Sequence, residues 1–241
     1  MWLGAPLYGA SDLSRVSIVI PVYNEAPYVE AVLDAVRSAP LPPGVEREII
    51  CVNDGSSDDT RAILDRYGRG VVVHHSPENE GKGTAIRLAL GYVTGDVVVI
   101  QDADLEYDPA DHGALLAPIL EGRATVVYGS RFLGTCEGMR WPNRLINRVL
   151  AGLVRLLYRQ PISDEATCYK AFRADVLRAL PLSCKRFEFC PEVTAKLSRR
   201  GHRILEVPIR YRARTSNQGK KIRWTDAVVA VWTLLKYRVR E

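Results

Sequence analysis

Hydrophobic and polar positions along this chain fall into blocks of different period. Val16-Ser-Ile-Val-Ile-Pro-Val22 is a β-rich run that predicts a first strand, and Tyr23-Asn-Glu25 predicts a turn. Over residues 27–38, Val29, Val32, Leu33 and Val36 recur at helical spacing, and Pro40, Pro42, Pro43 and Gly44 then break the chain. Glu48 to Asn53 predicts a second strand. It closes in Asp54-Gly-Ser-Ser-Asp-Asp-Thr60, a turn into a helix that Ser56 or Ser57 can cap and whose first turn suits Asp58 and Asp59. Val71 to His75 predicts a third strand, and Glu80 to Tyr92 a helix with Ile86, Leu88, Ala89 and Leu90 on or near its buried side. Val97 to Ile100 is apolar without interruption, the mark of a strand buried on both faces. A helix over Pro109–Leu120 and a strand over Thr125–Tyr128, ending in Gly129-Ser-Arg131, complete this half. Strands alternating with helices at this spacing mean βαβ units with right-handed crossovers, an α/β fold with a mainly parallel sheet.

The second half changes character. Asn143–Tyr158 has a broad apolar helical surface interrupted by Arg144, Arg148, Arg155 and Arg159. Burial against the domain is the more common use of such a helix; a face resting on lipid, with arginines at the headgroups, is the alternative. Residues 189–200 predict a further helix and Ile204–Ile209 a strand. Arg210 to Arg223 is polar and basic and reads as a mobile loop; Trp224–Tyr237 reads as an amphipathic helix with basic residues at its end.

Composition alters this picture in one respect. Residues 1–130 carry nine Lys/Arg and nineteen Asp/Glu, net −10, whereas residues 131–241 carry twenty-four and nine, net +15. A basic second half points to an anionic partner. The 5 cysteines form no C-x-x-C pair and their number is odd, which predicts reduced thiols and a cytoplasmic protein. The first residues lack the pattern of a signal peptide, and no window holds the ~18 uncharged apolar residues of a spanning helix. The expectation is a cytoplasmic chain that is soluble or peripheral on the membrane's cytoplasmic face.

The candidate chemistry sits where the central strand ends. Asp102, Asp104, Glu106 and Asp108 follow Gln101. Carboxylates bunched there repel one another and are best tolerated around a hard divalent cation, Mg²⁺ or Mn²⁺. Open α/β sheets also bind ligands at the C-terminal ends of their strands. Asp108 and Asp111 are assigned instead to the helix entry that Asp-Pro marks. No G-x-G-x-x-G follows the first strand, so a dinucleotide site is excluded, and Gly81-Lys-Gly-Thr84 departs from a P-loop at two positions. A metal-held nucleoside diphosphate is what remains.

Five motifs occur in order: Ile18-Val-Ile-Pro-Val-Tyr-Asn-Glu25, Val52-Asn-Asp-Gly-Ser-Ser-Asp-Asp-Thr60, Asn79-Glu-Gly-Lys-Gly-Thr-Ala85, Asp102-Ala-Asp104 and Gly129-Ser-Arg131. Together they resemble the family 2 glycosyltransferases of the GT-A fold, and within them the dolichyl- or polyprenyl-phosphate mannosyl/glucosyltransferases. The resemblance is strong over residues 16–131 and looser beyond. It implies one GT-A domain over residues 1–241, with a nucleotide-sugar half at 1–131 and an acceptor half at 132–241. Pro21, Tyr23 and Glu25 would line the nucleoside pocket, and Asp54 would contact base or ribose, a role compatible with an Asx-turn. Asp102 and Asp104 would match the D-x-D pair that meets the sugar or ribose and the metal. Glu106 falls where that branch can carry a further metal ligand. Lys82 would reach a phosphate or remain solvated, and Arg131 would bind the acceptor or the donor phosphates. Arg144, Asn147 and Arg148 occupy the acceptor-facing region, and Lys220 and Lys221 resemble its late basic motif. Asp164 and Glu192 are the candidate bases if the acceptor is a hydroxyl, with a structural acid at a helix start the other reading of Glu192.

The implied reaction is metal-dependent transfer of a hexose, with inversion, from a GDP- or UDP-sugar to a lipid phosphate. A phosphate monoester, with a second pKa of about 6, needs no base at neutral pH. A hydroxyl acceptor is the alternative. A nucleic-acid module would use the basic half but leave the acidic cluster unexplained, and a binding protein without turnover is disfavoured by the intact Asp102/Asp104 pair.

Overall fold

The computed structural model describes residues 13–68, 70–214 and 224–240. Its strands are β1 (Arg15–Val22), β2 (Glu46–Asp54), β3 (Val71–Ser76), β4 (Val97–Ile100), β5 (Val126–Glu137), β6 (Lys170–Arg173) and β7 (Ile204–Arg212). Its helices are α1 (Val29–Ser38), α2 (Thr60–Tyr67), α3 (Lys82–Ala89), α4 (His112–Leu120), α5 (Trp141–Tyr158), α6 (Ala174–Arg178), α7 (Phe189–Arg199) and α8 (Trp224–Val239). The strands form a 7-stranded sheet in the order β3-β2-β1-β4-β6-β5-β7. β1, β2, β3 and β4 pair in parallel, as do β5 and β7, while β6 runs antiparallel to both of its neighbours.

The sheet is covered on both faces because its central strands are apolar on both. Ile18, Ile20, Val97 and Val99 pack under α1, α2 and α4, against Val32, Leu33, Leu64, Leu115 and Leu116. Val19, Val98 and Ile100 face the other way, toward Ile86 on α3, Val154 on α5, Val193 on α7 and Leu234 on α8. Neighbours one apart along β1 and β4 thus serve opposite layers, as the period of a strand requires.

Three expectations are revised. The helix expected over residues 80–92 is shorter, Lys82–Ala89, and starts late because the Glu80 and Gly81 amides are bound to Asp54. β5 runs on to Glu137 and through the boundary at 131/132, so both halves share one sheet. At Gly134 a Cβ would lie 2.1 Å from the Ile209 carbonyl oxygen, so only glycine permits this approach of β5 to β7. Arg210 to Arg212, assigned above to a loop, finish β7. Lys220 and Lys221 lie outside the described residues. α5 unites both of its readings: Leu150, Ala151 and Val154 are buried, whereas Leu145, Val149 and Leu156 are exposed.

Candidate active site

A cavity of about 960 Å³ opens at the C-terminal ends of β1, β2 and β4, roofed by α5 and α8. Pro21, Tyr23, Glu25, Asp54, Lys82, Asp102, Asp104, Glu106, Arg131 and Asn147 all line it. Residues more than a hundred positions apart in the chain therefore reach one space.

Asp54 ends β2 and is 2% exposed. Its two carboxylate oxygens accept the Glu80 amide at 2.9 Å and the Gly81 amide at 2.8 Å. Gly55 follows at φ +64, where a Cβ would lie 2.3 Å from the Glu78 carbonyl carbon, so glycine is required at this turn. Asp54 thus ties the Asn79–Gly81 loop to the end of β2 and sets where α3 and Lys82 begin. Lys82 is not a solvated lysine: its ammonium pairs with Asp102 and donates to Cys168 Sγ at 3.0 Å. Burial opposes the charge on Asp102, but Lys82 holds that carboxyl below the usual range.

Asp104 lies two residues on and is followed by Leu105 at φ 58. A non-glycine residue in the left-handed region marks a constrained turn at a strand end, a common property of functional loops. Burial, reinforced by the Asp102 and Glu106 charges, pushes the Asp104 carboxyl up to about 7. Arg214 answers that excess charge. Its guanidinium lies 2.9 Å from Asp104 Oδ2 and 3.0 Å from Glu25 Oε2, and its amide donates to Glu106 Oε1 at 2.8 Å. Arg214 was not singled out from the sequence. It belonged to a basic stretch with no periodicity, and only the path of β7 brings it to the acidic strand end.

The expected metal set Asp102, Asp104 and Glu106 is not assembled as a trio. Glu106 accepts the Tyr211 hydroxyl at 2.8 Å with one oxygen and the Arg214 amide with the other. Among the described residues no group of 3 or more His, Cys, Asp or Glu is placed to hold a metal ion. Asp102 and Asp104 do fit a cation that takes its remaining ligands from phosphates and water, as Mg²⁺ commonly does. Each is a half-buried carboxylate in the cavity that pairs with a basic side chain, Lys82 for Asp102 and Arg214 for Asp104.

Both candidate bases are otherwise engaged. Asp164 is fully buried and takes Arg131 Nε and Nη2 at 2.7 Å each, plus the Arg131 amide at 3.0 Å. This pair also anchors the Arg131 side chain, leaving it less free for phosphate than expected. Glu192, in the first turn of α7, accepts the Ser183 amide at 2.9 Å, the Cys184 amide at 2.6 Å and the Tyr237 hydroxyl at 3.0 Å. Burial works against its charge, but Lys196 and these donors hold the carboxyl down at about 2. Neither residue lines the cavity, so the structural reading of Glu192 prevails. Arg144 and Arg148 also point elsewhere: both are exposed, and Arg144 donates to the Cys136 carbonyl at 3.2 Å. Asn147 is the member of that set that reaches the cavity.

The carboxyl that the sequence did not reveal is Glu165. It is fully buried and lines the cavity, and burial pushes it up to about 8. Oε1 accepts Thr194 Oγ1 at 3.2 Å, while Oε2 has no hydrogen-bond partner among the described residues.

An acidic pair at the end of a central parallel strand, beneath a cavity closed by helices of the second half, defines the GT-A class. The model of "Glycosyl transferase family 2" matches residues 17–180. The chain belongs to that family. An undecaprenyl-phosphate 4-deoxy-4-formamido-L-arabinose transferase of Edwardsiella ictaluri is 30% identical over 212 residues, covering 85% of this chain and 62% of the relative. The protein of the same name from Enterobacter sp. is 27% identical over 215 residues, covering 86% and 63%. The chain therefore spans less than two thirds of the length of these relatives. Among solved structures, glucosyl-3-phosphoglycerate synthase from Mycobacterium tuberculosis, in complex with Mn²⁺, UDP and phosphoglyceric acid, superposes with a TM-score of 0.73 at 21% identity. It covers 99% of this chain and 86% of that one. The same enzyme with Mg²⁺ and UDP gives a TM-score of 0.71 at 22% identity, covering 98% and 86%. At that identity the likeness establishes the fold. No described helix is long and apolar enough to cross a membrane.

Proposed function

We propose that this chain transfers a hexose from a nucleoside-diphosphate sugar to a polyprenyl phosphate, with a divalent cation and with inversion at the anomeric carbon. The observation that carries this reading is the mixed character of the cavity. Its lining combines the acidic strand end, with Lys82 and Arg214, and apolar side chains of the two helices, Ile146 and Leu150 of α5 with Ala227 and Ala230 of α8. Polar donor and apolar acceptor chemistry thus meet in one space. The relatives named as undecaprenyl-phosphate transferases support the acceptor, and the Mn²⁺, Mg²⁺ and UDP complexes of the fold neighbours support the donor and the metal.

A cation held by Asp102 and Asp104 would supply Lewis-acid stabilisation of the diphosphate as negative charge builds on it. The rest is work for this chain's own side chains. Pro21, Tyr23 and Glu25 at the end of β1 frame the nucleoside side of the cavity. Lys82 and Arg214 stand beside the acidic pair, where they can turn from carboxylate to phosphate. Asn147 reaches the cavity from the acceptor side. A phosphate acceptor is already a nucleophile at neutral pH. That suits a site in which Asp164 and Glu192 are both withdrawn from base duty.

The outer faces of α5 and α8 support a membrane-borne acceptor. Leu145, Val149 and Leu156 on α5 and Val228, Trp232 and Val239 on α8 are exposed. Arg144, Arg148, Lys236 and Arg238 lie on the same two helices. Apolar residues interleaved with arginine and lysine suit an anionic bilayer surface. The test is transfer from a panel of UDP- and GDP-sugars with Mn²⁺ or Mg²⁺, with and without a polyprenyl phosphate. Glycolipid that forms only with lipid phosphate and metal is the expected result. Metal-dependent donor hydrolysis that lipid phosphate does not stimulate would move the acceptor to a hydroxyl compound.

A further inference from the structure

Beside the acidic pair the cavity holds two thiols that the transfer reaction does not use. Cys168 precedes β6 and Cys190 lies in the first turn of α7, and both line the cavity. The Cys190 sulfur reaches the backbone of Thr167, the residue that precedes Cys168, which brings the two thiols to one stretch of the cavity lining. Each sulfur has a hydrogen-bond partner. Cys168 Sγ accepts from Lys82 Nζ at 3.0 Å, and Cys190 Sγ donates to the Thr167 carbonyl at 3.5 Å. The Cys168 amide donates to the Tyr107 hydroxyl at 3.1 Å. The remaining cysteines differ in setting. Cys51 is buried in β2, Cys184 is buried outside the cavity, and Cys136 sits on β5 away from it.

We propose that Cys168 and Cys190 are a site of reversible oxidation, forming a disulfide that disables the donor site. The co-reactant is a peroxide. One thiol attacks a peroxide oxygen, the O–O bond breaks, and a sulfenic acid and a molecule of water result. The second thiol attacks that sulfenic sulfur and expels the hydroxyl as water, closing the S–S bond. Two thiols are oxidised by two electrons, and one hydrogen peroxide is reduced to two waters. A dithiol reverses the step by exchange. The cavity that both thiols line admits the small oxidant.

The consequence follows from Lys82. Its ammonium is shared between Asp102 and the Cys168 sulfur. Drawing that sulfur toward Cys190 removes one of the two groups that position Lys82 and ties the chain before β6 to the start of α7. A donor diphosphate then meets a displaced cation. Loss of one charge-assisted contact is worth about tenfold in affinity. This second step rests on the proposed function; the disulfide itself does not.

The test uses the full chain, reduced and then treated with hydrogen peroxide. Free thiols are counted after unfolding, peptides are mapped by mass spectrometry, and UDP affinity with Mn²⁺ is measured by calorimetry. The expected result is a fall from 5 free thiols to three, a Cys168–Cys190 cross-linked peptide, and UDP affinity weakened by about tenfold, all restored by dithiothreitol. Cys190→Ser and Cys168→Ser should each prevent the cross-link. Oxidation that stops at a single sulfur, a bridge between Cys168 and Lys82, or a cross-link through any other cysteine would overturn the site. A Cys168–Cys190 bridge that leaves UDP affinity unchanged would overturn its control of the donor site. Reduced protein that binds no UDP with Mn²⁺ would instead count against the proposed function, with the cross-link still scored on its own.

Discussion

Asp104 is a half-buried carboxylate and Glu192 a fully buried one, and their surroundings give them opposite roles. Asp104 meets more negative charge than its one arginine offsets, and its carboxyl rises to about 7. Losing an outer-sphere partner of a metal typically costs about 10- to 100-fold in affinity, so losing the ligand itself should cost at least about 100-fold. Asp104→Asn should therefore abolish metal-dependent turnover with an unaltered melting curve. Unchanged turnover would remove Asp104 from the metal set. Glu192 is held at about 2 by its lysine and its amide donors, below its ordinary value of 4.5. Because its folded value is depressed, its stabilising contribution is present above pH 4.5 and is lost as pH falls through about 2. Glu192→Gln leaves Lys196 buried without its counter-charge. That should cost about 3 kcal/mol at pH 7, read by denaturant melts, with the gap from the parent protein closing in acid. A full loss of activity without loss of stability would restore Glu192 as a base. Glu165 runs the other way, raised from 4.5 to about 8. The advantage of its neutral form is present below pH 4.5 and lost as pH rises through about 8. Glu165→Gln should accordingly flatten the limb of the stability curve between pH 4.5 and about 8. An unchanged limb would show that another group titrates there.

Elements differed in how plainly the sequence announced them. β4 was legible because Val97 to Ile100 are buried on both sheet faces, which leaves no polar position to blur the run. β6 was not, because its 4 residues are Lys-Ala-Phe-Arg and the lysine reads as surface. Lys170 is in fact fully buried. Its ammonium is held by the Glu165 and Thr167 carbonyls at 2.8 Å each and lies 3.7 Å from the Tyr128 ring centre. Such a lysine is satisfied by partners that no periodicity shows. The same gap hid the Arg131–Asp164 pair, whose members were assigned separately to phosphate and to base. Motifs at strand ends, by contrast, located the acidic end of the cavity, because strand ends converge by topology alone. α5 is the element whose exposed face carries a test. Arg144→Glu with Arg148→Glu adds negative charge to a face that lies away from the cavity. Binding to vesicles containing anionic lipid should weaken, by roughly 1 kcal/mol per basic residue lost, while melting and UDP binding stay as in the parent. Undiminished vesicle binding would return the face to another use.

At the scale of the molecule, the charge asymmetry of the chain becomes an arrangement in space. The acidic ends of β1 and β4 belong to the first half, and the second half returns through β7 to set Arg214 on Glu25 and Asp104. This ion-pair cluster joins residues separated by 189 and 110 positions. It lies in the cavity where donor and cation would bind, so occupancy should be felt by the whole fold. A ligand present at one hundred times its dissociation constant stabilises the folded state by about 2.7 kcal/mol. For a domain of this size each kcal/mol raises Tm by about 2–4 °C. UDP with Mn²⁺ should thus raise Tm by about 5–10 °C, and either component alone by less, because Asp102 and Asp104 furnish only two protein ligands and the diphosphate supplies others. Asp104→Asn should erase the joint increment while keeping any shift due to UDP alone. An equal shift with UDP in the presence of a chelator would mean that the nucleotide binds without the cation. The acidic pair would then act on the sugar or ribose, and Lys82 and Arg214 would carry the diphosphate by themselves.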